Sequence, residues 1–332
     1  MAKVARKKAK GTKKETGPVA WLTYLAVRCI LTLMQAFPLH WNLQTARLLA
    51  RIWAFIMPRH RNRAIEHLRA AYPGQLATPD LERLADRCLE SVTMFAVETM
   101  CLPRLVNAFT WSQYIQLRDF EPFLQRALRG EGMILVTGHY GPFELIGHLL
   151  ACLGFRIHAV MRPLDNAYLN RYLVETRRTH GLNLLDKKGA TAEAEEILRG
   201  GGLLAFIGDQ DAGRKGIFVD FFGRPASTYK SIGLLAMTVN CPIVVGYTRR
   251  LGTLARYEIA VQRIIDPGEW AGRDDPLQWI TQTYTSAIEE AVRQHPEQYL
   301  WIHRRWKSEP RRAIAPANSP GADTNSAGRM TV

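Results

Sequence analysis

Residues 131–147 read Glu-Gly-Met-Ile-Leu-Val-Thr-Gly-His-Tyr-Gly-Pro-Phe-Glu-Leu-Ile-Gly, and their reading decides the fold. Met133 to Val136 is a short apolar run bounded by glycines, with the length and composition of a buried strand. It stops at Thr137-Gly138, which places His139 on the loop at the strand's carboxyl end. Gly141 permits a sharp turn, and Pro142 suits the first position of a helix, where a missing N–H costs nothing. Phe143-Glu144-Leu145-Ile146 then begins an apolar helix that runs to about Cys152. Side chains in a first helical turn lean back toward its N-terminus, so Glu144 can reach His139. A carboxylate on one imidazole nitrogen fixes the tautomer and leaves the other nitrogen as a general base. The helix N-terminus beside it favours developing negative charge. Taken alone, the spacing fits a loop histidine that merely caps the helix equally well.

Outward from that stretch, the pattern from residue 119 alternates helix and strand, which implies an α/β fold with a mixed, mostly parallel sheet and crossover helices. Helix 119–129 leads into the strand before His139. Further strands are expected at 155–161, 182–185, 203–207, 242–247 and 257–264, and further helices at 166–179, 191–198, 232–239 and 277–293. Residues 39–118 read as the helical part, and 119–310 as the α/β core, of one domain, 39–310. Residues 311–332 are rich in Ala, Pro, Ser, Asn and Gly and are expected to be disordered.

The 332-residue chain is 47% hydrophobic and 22% charged, a globular composition, with a net charge of +14 that calls for an anionic partner. Lys3, Arg6, Lys7, Lys8, Lys10, Lys13 and Lys14 concentrate half of that excess in a basic arm, 1–17, expected to be disordered. Five scattered cysteines in apolar settings, without a Cys-x-x-Cys, suggest reduced thiols and no structural zinc. Residues 18–38 are apolar and nearly long enough for the ~30 Å bilayer core. Arg28 in the middle costs an isolated span at least ~2.5 kcal/mol, so the segment is expected to be a membrane-associated helix that spans or lies in the interface. The alternative is a buried first helix of the domain. Residues 42–71 continue as basic amphipathic helix, either a solvated face or an added membrane contact.

Ligands in open α/β sheets bind beyond the strands' carboxyl ends, so the polar groups there are the site candidates. Arg162 can hold a carbonyl oxygen or a phosphate, or serve a structural salt bridge. Gly208-Asp209-Gln210-Asp211 contacts a ligand or organises a loop. The apolar loop 216–228, with Phe221, Phe222 and Arg224, either borders a greasy groove or simply packs. Gly208 to Lys215 misses the ending of a phosphate-binding P-loop. There is no Gly-x-Ser-x-Gly elbow and no His-Glu-x-x-His. A base without an enzyme nucleophile fits direct attack by a substrate hydroxyl or water on an activated acyl group.

Thr-Gly-His-Tyr-Gly-Pro-Phe-Glu at 137–144 resembles the His-x4-Asp/Glu motif of lipid acyltransferases, in the version carried by the bacterial lipid A late-acyltransferase family. The resemblance continues in order through 161–166, 208–211, 221–226, 241–245 and 295–307. It implies an acyl thioester donor (acyl carrier protein or coenzyme A), a membrane lipid acceptor, and no metal or other cofactor. His139 would deprotonate the acceptor hydroxyl and Glu144 would orient the imidazole. Arg162 would stabilise the oxyanion, while Asp209 and Gln210, with Phe222 and Arg224, would bind substrate. The expected setting is the cytoplasmic (inner) membrane, with the catalytic domain on its cytoplasmic face and the basic arm on an anionic surface. The stretch Tyr-Gly-Pro-Phe-Glu after His139 fits no single subgroup, which leaves lysophospholipid, ornithine-lipid and phosphatidylinositol mannoside acceptors open. A nucleic-acid-binding protein is the alternative from another class, suggested by the arm; the arm lacks interleaved aromatics and the fold offers no recognition helix, so no nucleic acid is expected.

Overall fold

A computed structural model of the chain describes residues 16–161, 164–179, 181–186, 190–252 and 255–310. Residues 1–15 of the basic arm, Arg162 and the tail 311–332 lie outside the described residues. Four helices come first: α1 (Pro18–Gln35), α2 (Leu39–Ile56), α3 (Pro58–Ala71) and α4 (Thr78–Leu105), followed by the single turn α5 (Trp111–Tyr114). The sheet region then runs β1 (Ile115–Arg118), α6 (Glu121–Leu128), β2 (Met133–Thr137), α7 (Glu144–Cys152), β3 (Ile157–Met161), α8 (Ala167–Thr179), β4 (Asn183–Asp186), α9 (Ala190–Arg199) and β5 (Leu203–Ile207). It finishes with β6 (Ile217–Phe221), β7 (Arg224–Thr228), α10 (Ser231–Val239), β8 (Ile243–Arg250), β9 (Tyr257–Ile265), the single turn α11 (Pro267–Trp270) and α12 (Pro276–Gln294).

Seven strands form one sheet in the order β1-β9-β8-β2-β5-β3-β4. The five strands from β8 to β4 run parallel to one another, and β9 turns back antiparallel to β8. The mixed, mostly parallel sheet flanked by helices is the fold class expected from the sequence. Strand β2 shows why the apolar run becomes a doubly covered central strand. Ile134 and Val136 face one core with Tyr284, Ile288 and the hairpin, while Met133 and Leu135 face a second core with Phe123 and Leu149. Alternation with period two sends successive side chains to opposite faces, and each fully buried aliphatic contributes roughly 1.5–3 kcal/mol.

Two stretches differ from the sequence expectation. Residues 115–118, expected to be helical, form the edge strand β1, which pairs in parallel with β9 from Ile115↔Tyr257 to Arg118↔Ala260. Four residues are too few to show a period, and the partner is about 140 positions away. The loop 216–228 is instead the hairpin β6–β7, antiparallel from Ile217↔Thr228 to Phe221↔Arg224. Phe222 and Gly223 turn it, both at positive φ (56° and 72°), the geometry of a primed two-residue turn. A phenylalanine there carries no turn signal in sequence.

Helix α1 contributes little to either core, since only Ala20 and Leu31 of its 18 residues are buried. At 1.5 Å per residue it is about 27 Å long. Among the described residues it is the one helix long and apolar enough to cross a membrane by length and composition.

Candidate functional site

The parallel register of β2 and β5 builds the site. Thr137 pairs with Ile207 as the last rung, so His139 and Asp209, each two residues further on, leave the sheet side by side. The Asp209 carboxylate accepts from both the backbone N–H and the ring of His139, Oδ2 from the amide at 2.8 Å and Oδ1 from Nδ1 at 2.7 Å. This forked grip fixes the ring's rotation and its tautomer. With Nδ1–H donating to Asp209, Nε2 is left as the basic nitrogen. The side-chain amide nitrogen of Gln210 lies 3.3 Å from that Nε2.

The turn after His139 is held by the C-terminal segment. Leu300 N–H donates to the His139 carbonyl, and Gly141 N–H to the Gln298 carbonyl. Gly141 sits at φ +55°, and a Cβ there would lie 2.1 Å from the Thr248 carbonyl oxygen. That close approach requires a glycine at 141; α7 starts at Glu144, two residues after Pro142. Phe143 packs its ring edge-on to His139 and stacks on Phe95.

Glu144 takes a different partner from the one its spacing suggested. Its Oε1 accepts from Arg177 Nη2 of α8 at 2.7 Å. The carboxylate on the imidazole is therefore Asp209, and Glu144 acts on the ring through its charge. Burial opposes a charged imidazole, but the charge and hydrogen bond of Asp209, with the charge of Glu144, outweigh it and raise His139 above its ordinary 6.5. Asp209 is only 2% exposed. Burial alone would raise its pKa; the imidazole, its hydrogen bonds and the Arg305 charge instead hold it well below the usual carboxylate range.

Arg305 is a residue that spacing gave no reason to single out. It is 1% exposed and donates to the carbonyls of Gln210 and Ser227 and to the Thr228 hydroxyl. It thereby ties the loop after β5 to the hairpin β6–β7. Asp211 completes the fastening, accepting from the Ser308 amide and hydroxyl. Phe222 packs against Tyr72, Trp301 and Phe221 in the core, and the Arg224 guanidinium lies 4.7 Å over the Trp306 ring.

One hollow adjoins the histidine, and a second opens beside the turn that follows it. A small one, about 50 Å³, lies between His139, Phe143, Ser91 and Leu300. A larger cavity of about 250 Å³, mostly apolar, begins at Pro142 and Glu144 and extends between Leu145, Tyr172, Arg177 and Gln35 of α1. A base with an oriented tautomer, a helix N-terminus and an adjoining apolar cavity is the equipment for moving a proton off a hydroxyl beside a greasy chain.

Comparison with known proteins gives this arrangement a family. The model of the bacterial lipid A biosynthesis acyltransferases matches residues 8–308. The chain is 23% identical over 301 residues to the lipid A biosynthesis lauroyltransferase of Escherichia coli (strain K12), covering 88% of this chain and 94% of that one. It is 24% identical over 311 residues to the palmitoleoyltransferase of the same organism, covering 88% and 93%. A lipid A biosynthesis acyltransferase of Haemophilus influenzae is 26% identical over 183 residues, 54% of this chain and 57% of that one. The protein is thus an acyltransferase. It belongs to the bacterial lipid A biosynthesis acyltransferase family.

Proposed function

We propose that this enzyme moves a fatty acyl chain from an acyl carrier protein or coenzyme A thioester to a hydroxyl of a lipid A precursor or closely related glycolipid, at the cytoplasmic face of the inner membrane. The observation that carries the mechanism is the forked Asp209–His139 contact, which leaves Nε2 free to act as a base. In this reading Gln210 gives way to the acceptor, and Nε2 takes the hydroxyl proton as the oxygen attacks the thioester carbonyl. The C–S bond breaks as the tetrahedral oxyanion collapses, and the imidazolium returns its proton to the departing thiolate. An alcohol far from ionised at neutral pH needs such a base, worth about 10²–10⁴-fold.

Asp209 holds the imidazolium, and Glu144 adds charge from the mouth of the larger cavity, which has the apolar lining an acyl chain requires. The N-terminal turn of α7 faces the developing oxyanion. Arg162 is assigned to the same duty from its place after β3. Phe222 and Arg224 support the site from the packed hairpin.

Mass spectrometry of the host's total lipids, with and without the gene, tests the assignment. A lipid A species lighter by one acyl chain in the deletion is expected, restored by the gene and not by His139→Ala. An unchanged lipid A profile with a shift in another lipid class overturns the acceptor.

A further inference from the structure

The apolar surface of this protein is gathered in one place. Of the 19 large apolar side chains exposed among the described residues, 13 fall between Val19 and Ile56. Leu22, Ile30 and Leu33 carry it on α1, and Leu49, Phe55 and Ile56 continue it on α2, with Phe55 88% exposed. Single exposed apolar residues are ordinary, but a concentration of this kind marks an interaction surface. Its own charge is one-sided: residues 16–65 contain Arg28, Arg47, Arg51, Arg59, Arg61 and Arg63 and no Asp or Glu, with Arg51 and Arg61 answered by Glu90, Glu82 and Asp86 of α4.

The attachments of α1 decide how that surface meets its partner. Near the N-terminus, Tyr168 and Asn166 donate to the carbonyls of Thr16 and Ala20 at 3.0 and 2.8 Å. In the middle, the Arg28 guanidinium lies 4.2 Å over the Tyr172 ring. At the C-terminus, Gln35 donates to the Met100 carbonyl and Arg104 to the Gln35 carbonyl, both at 3.2 Å. The helix is fastened along its whole length to α8 and α4, the walls of the larger cavity. A perpendicular crossing would break the attachments at one end or drag α4 and α8 into hydrocarbon.

We propose that α1 and α2 together form a monotopic face that lies flat in the headgroup region of an anionic bilayer, α1 not crossing it. The proposal rests on the lipid-acceptor reading and adds the geometry of delivery: the larger cavity, which shares Gln35 with α1, opens at the level of the leaflet. An amphipathic helix in the interface sinks about 5–10 Å, and each basic residue near an anionic surface adds about 1 kcal/mol. A lipid surface fits this face better than a protein does, because the stretch supplies no carboxylate of its own along 50 residues.

Full-length protein bound to phosphatidylethanolamine–phosphatidylglycerol vesicles tests this without acyl donor, so loss of acyl transfer would not alter the result. A fluorophore on the native Cys29, or on Val19→Cys or Leu33→Cys in a Cys29→Ser background, is quenched by nitroxides at known depths. Equal, shallow depth at all three positions is expected; a deep Cys29 with its ends on opposite sides overturns the proposal. In sedimentation, the triple variant Leu49→Ser/Phe55→Ser/Ile56→Ser loses at least about tenfold in vesicle affinity with its thermal midpoint unchanged. Unchanged affinity overturns the role of α2. Vesicle binding that persists while a solution dimer dissociates assigns the face to a second copy and also overturns it.

Discussion

Among the described residues, two ion pairs have a carboxylate no more than 2% exposed, and they behave in opposite ways. His139–Asp209 joins the ends of β2 and β5; Arg250–Glu98 joins the end of β8 to the middle of α4. In the second, every part of the Arg250 guanidinium is spent: Nε donates to Glu98 at 2.5 Å, and the other nitrogens to the hydroxyl and carbonyl of Ser91. Tyr257 adds a further bond to the same Glu98 oxygen. Glu98 is wholly buried, and burial pushes its carboxyl above the ordinary 4.5 despite the arginine. In the first, Asp209 is pulled the other way, below its ordinary range, and the ring it grips keeps 13% of its side-chain surface exposed, with the Gln210 amide at its Nε2. The arginine pair, buried at both ends with every guanidinium nitrogen engaged, fixes α4 to the sheet. The histidine pair, at a strand end beside a small hollow, presents its Nε2 to an amide that can move aside and so has capacity left for chemistry.

The contrast can be broken from either side. His139→Ala should lower acyl transfer by at least about 10³-fold in a thioester-release assay, and Asp209→Asn by about 10²–10⁴-fold, since the amide no longer holds the tautomer. An Asp209→Asn enzyme with wild-type turnover would return the orienting role to Glu144. Glu98→Ala leaves a buried guanidinium without its carboxylate and should cost about 3–5 kcal/mol in denaturant unfolding; a loss under about 1 kcal/mol would show that the pair only fills space.

The pH dependence sharpens the same point. In the proposed mechanism the base works deprotonated, so kcat/KM should fall on the acid side with an apparent pKa above 6.5, and Asp209→Asn should move that limb to lower pH. For stability the signs differ. The raised folded pKa of His139 gives a contribution fully present below 6.5 and lost as pH rises through the folded value. The depressed folded pKa of Asp209 gives one present above 3.8 and lost as pH falls through its folded value. The pair therefore stabilises most between those two ordinary values, which urea midpoints against pH will report. The smallest effect is expected at Glu144→Gln, about tenfold in kcat/KM, because a charge acting through space on a neighbour's pKa is worth on the order of 1.4 kcal/mol.

The strand–turn–helix around His139 was legible because its signals are local: an apolar run, a glycine at a turn, a change of period. The partner of the histidine was not, although its sign was present. Leu203–Ile207 ends in Gly208-Asp209 as Met133–Thr137 ends in Gly138-His139, two parallel strands with the same polar position after the last rung. Spacing within 139–144 favoured Glu144, because sequence distance is visible and strand adjacency is not. Arg305, Arg177 and the Glu98–Arg250 pair act across 33 to 152 residues, beyond the reach of any periodicity. The edge strand β1 and the hairpin β6–β7 were missed for the related reason that their pairing, rather than their composition, defines them.

The final rung Thr137↔Ile207 also sets a clock. The histidine and its aspartate come from strands separated by about seventy residues, with two other strands and three helices between them in the chain. No folding intermediate that has yet to dock β5 beside β2 can orient the base, however complete its helices are. Recovery of turnover during refolding should therefore coincide with closure of that one strand pair and lag behind the return of helical ellipticity, since non-local contacts close late. The enzyme's own chemistry then serves as the probe for that one strand pairing.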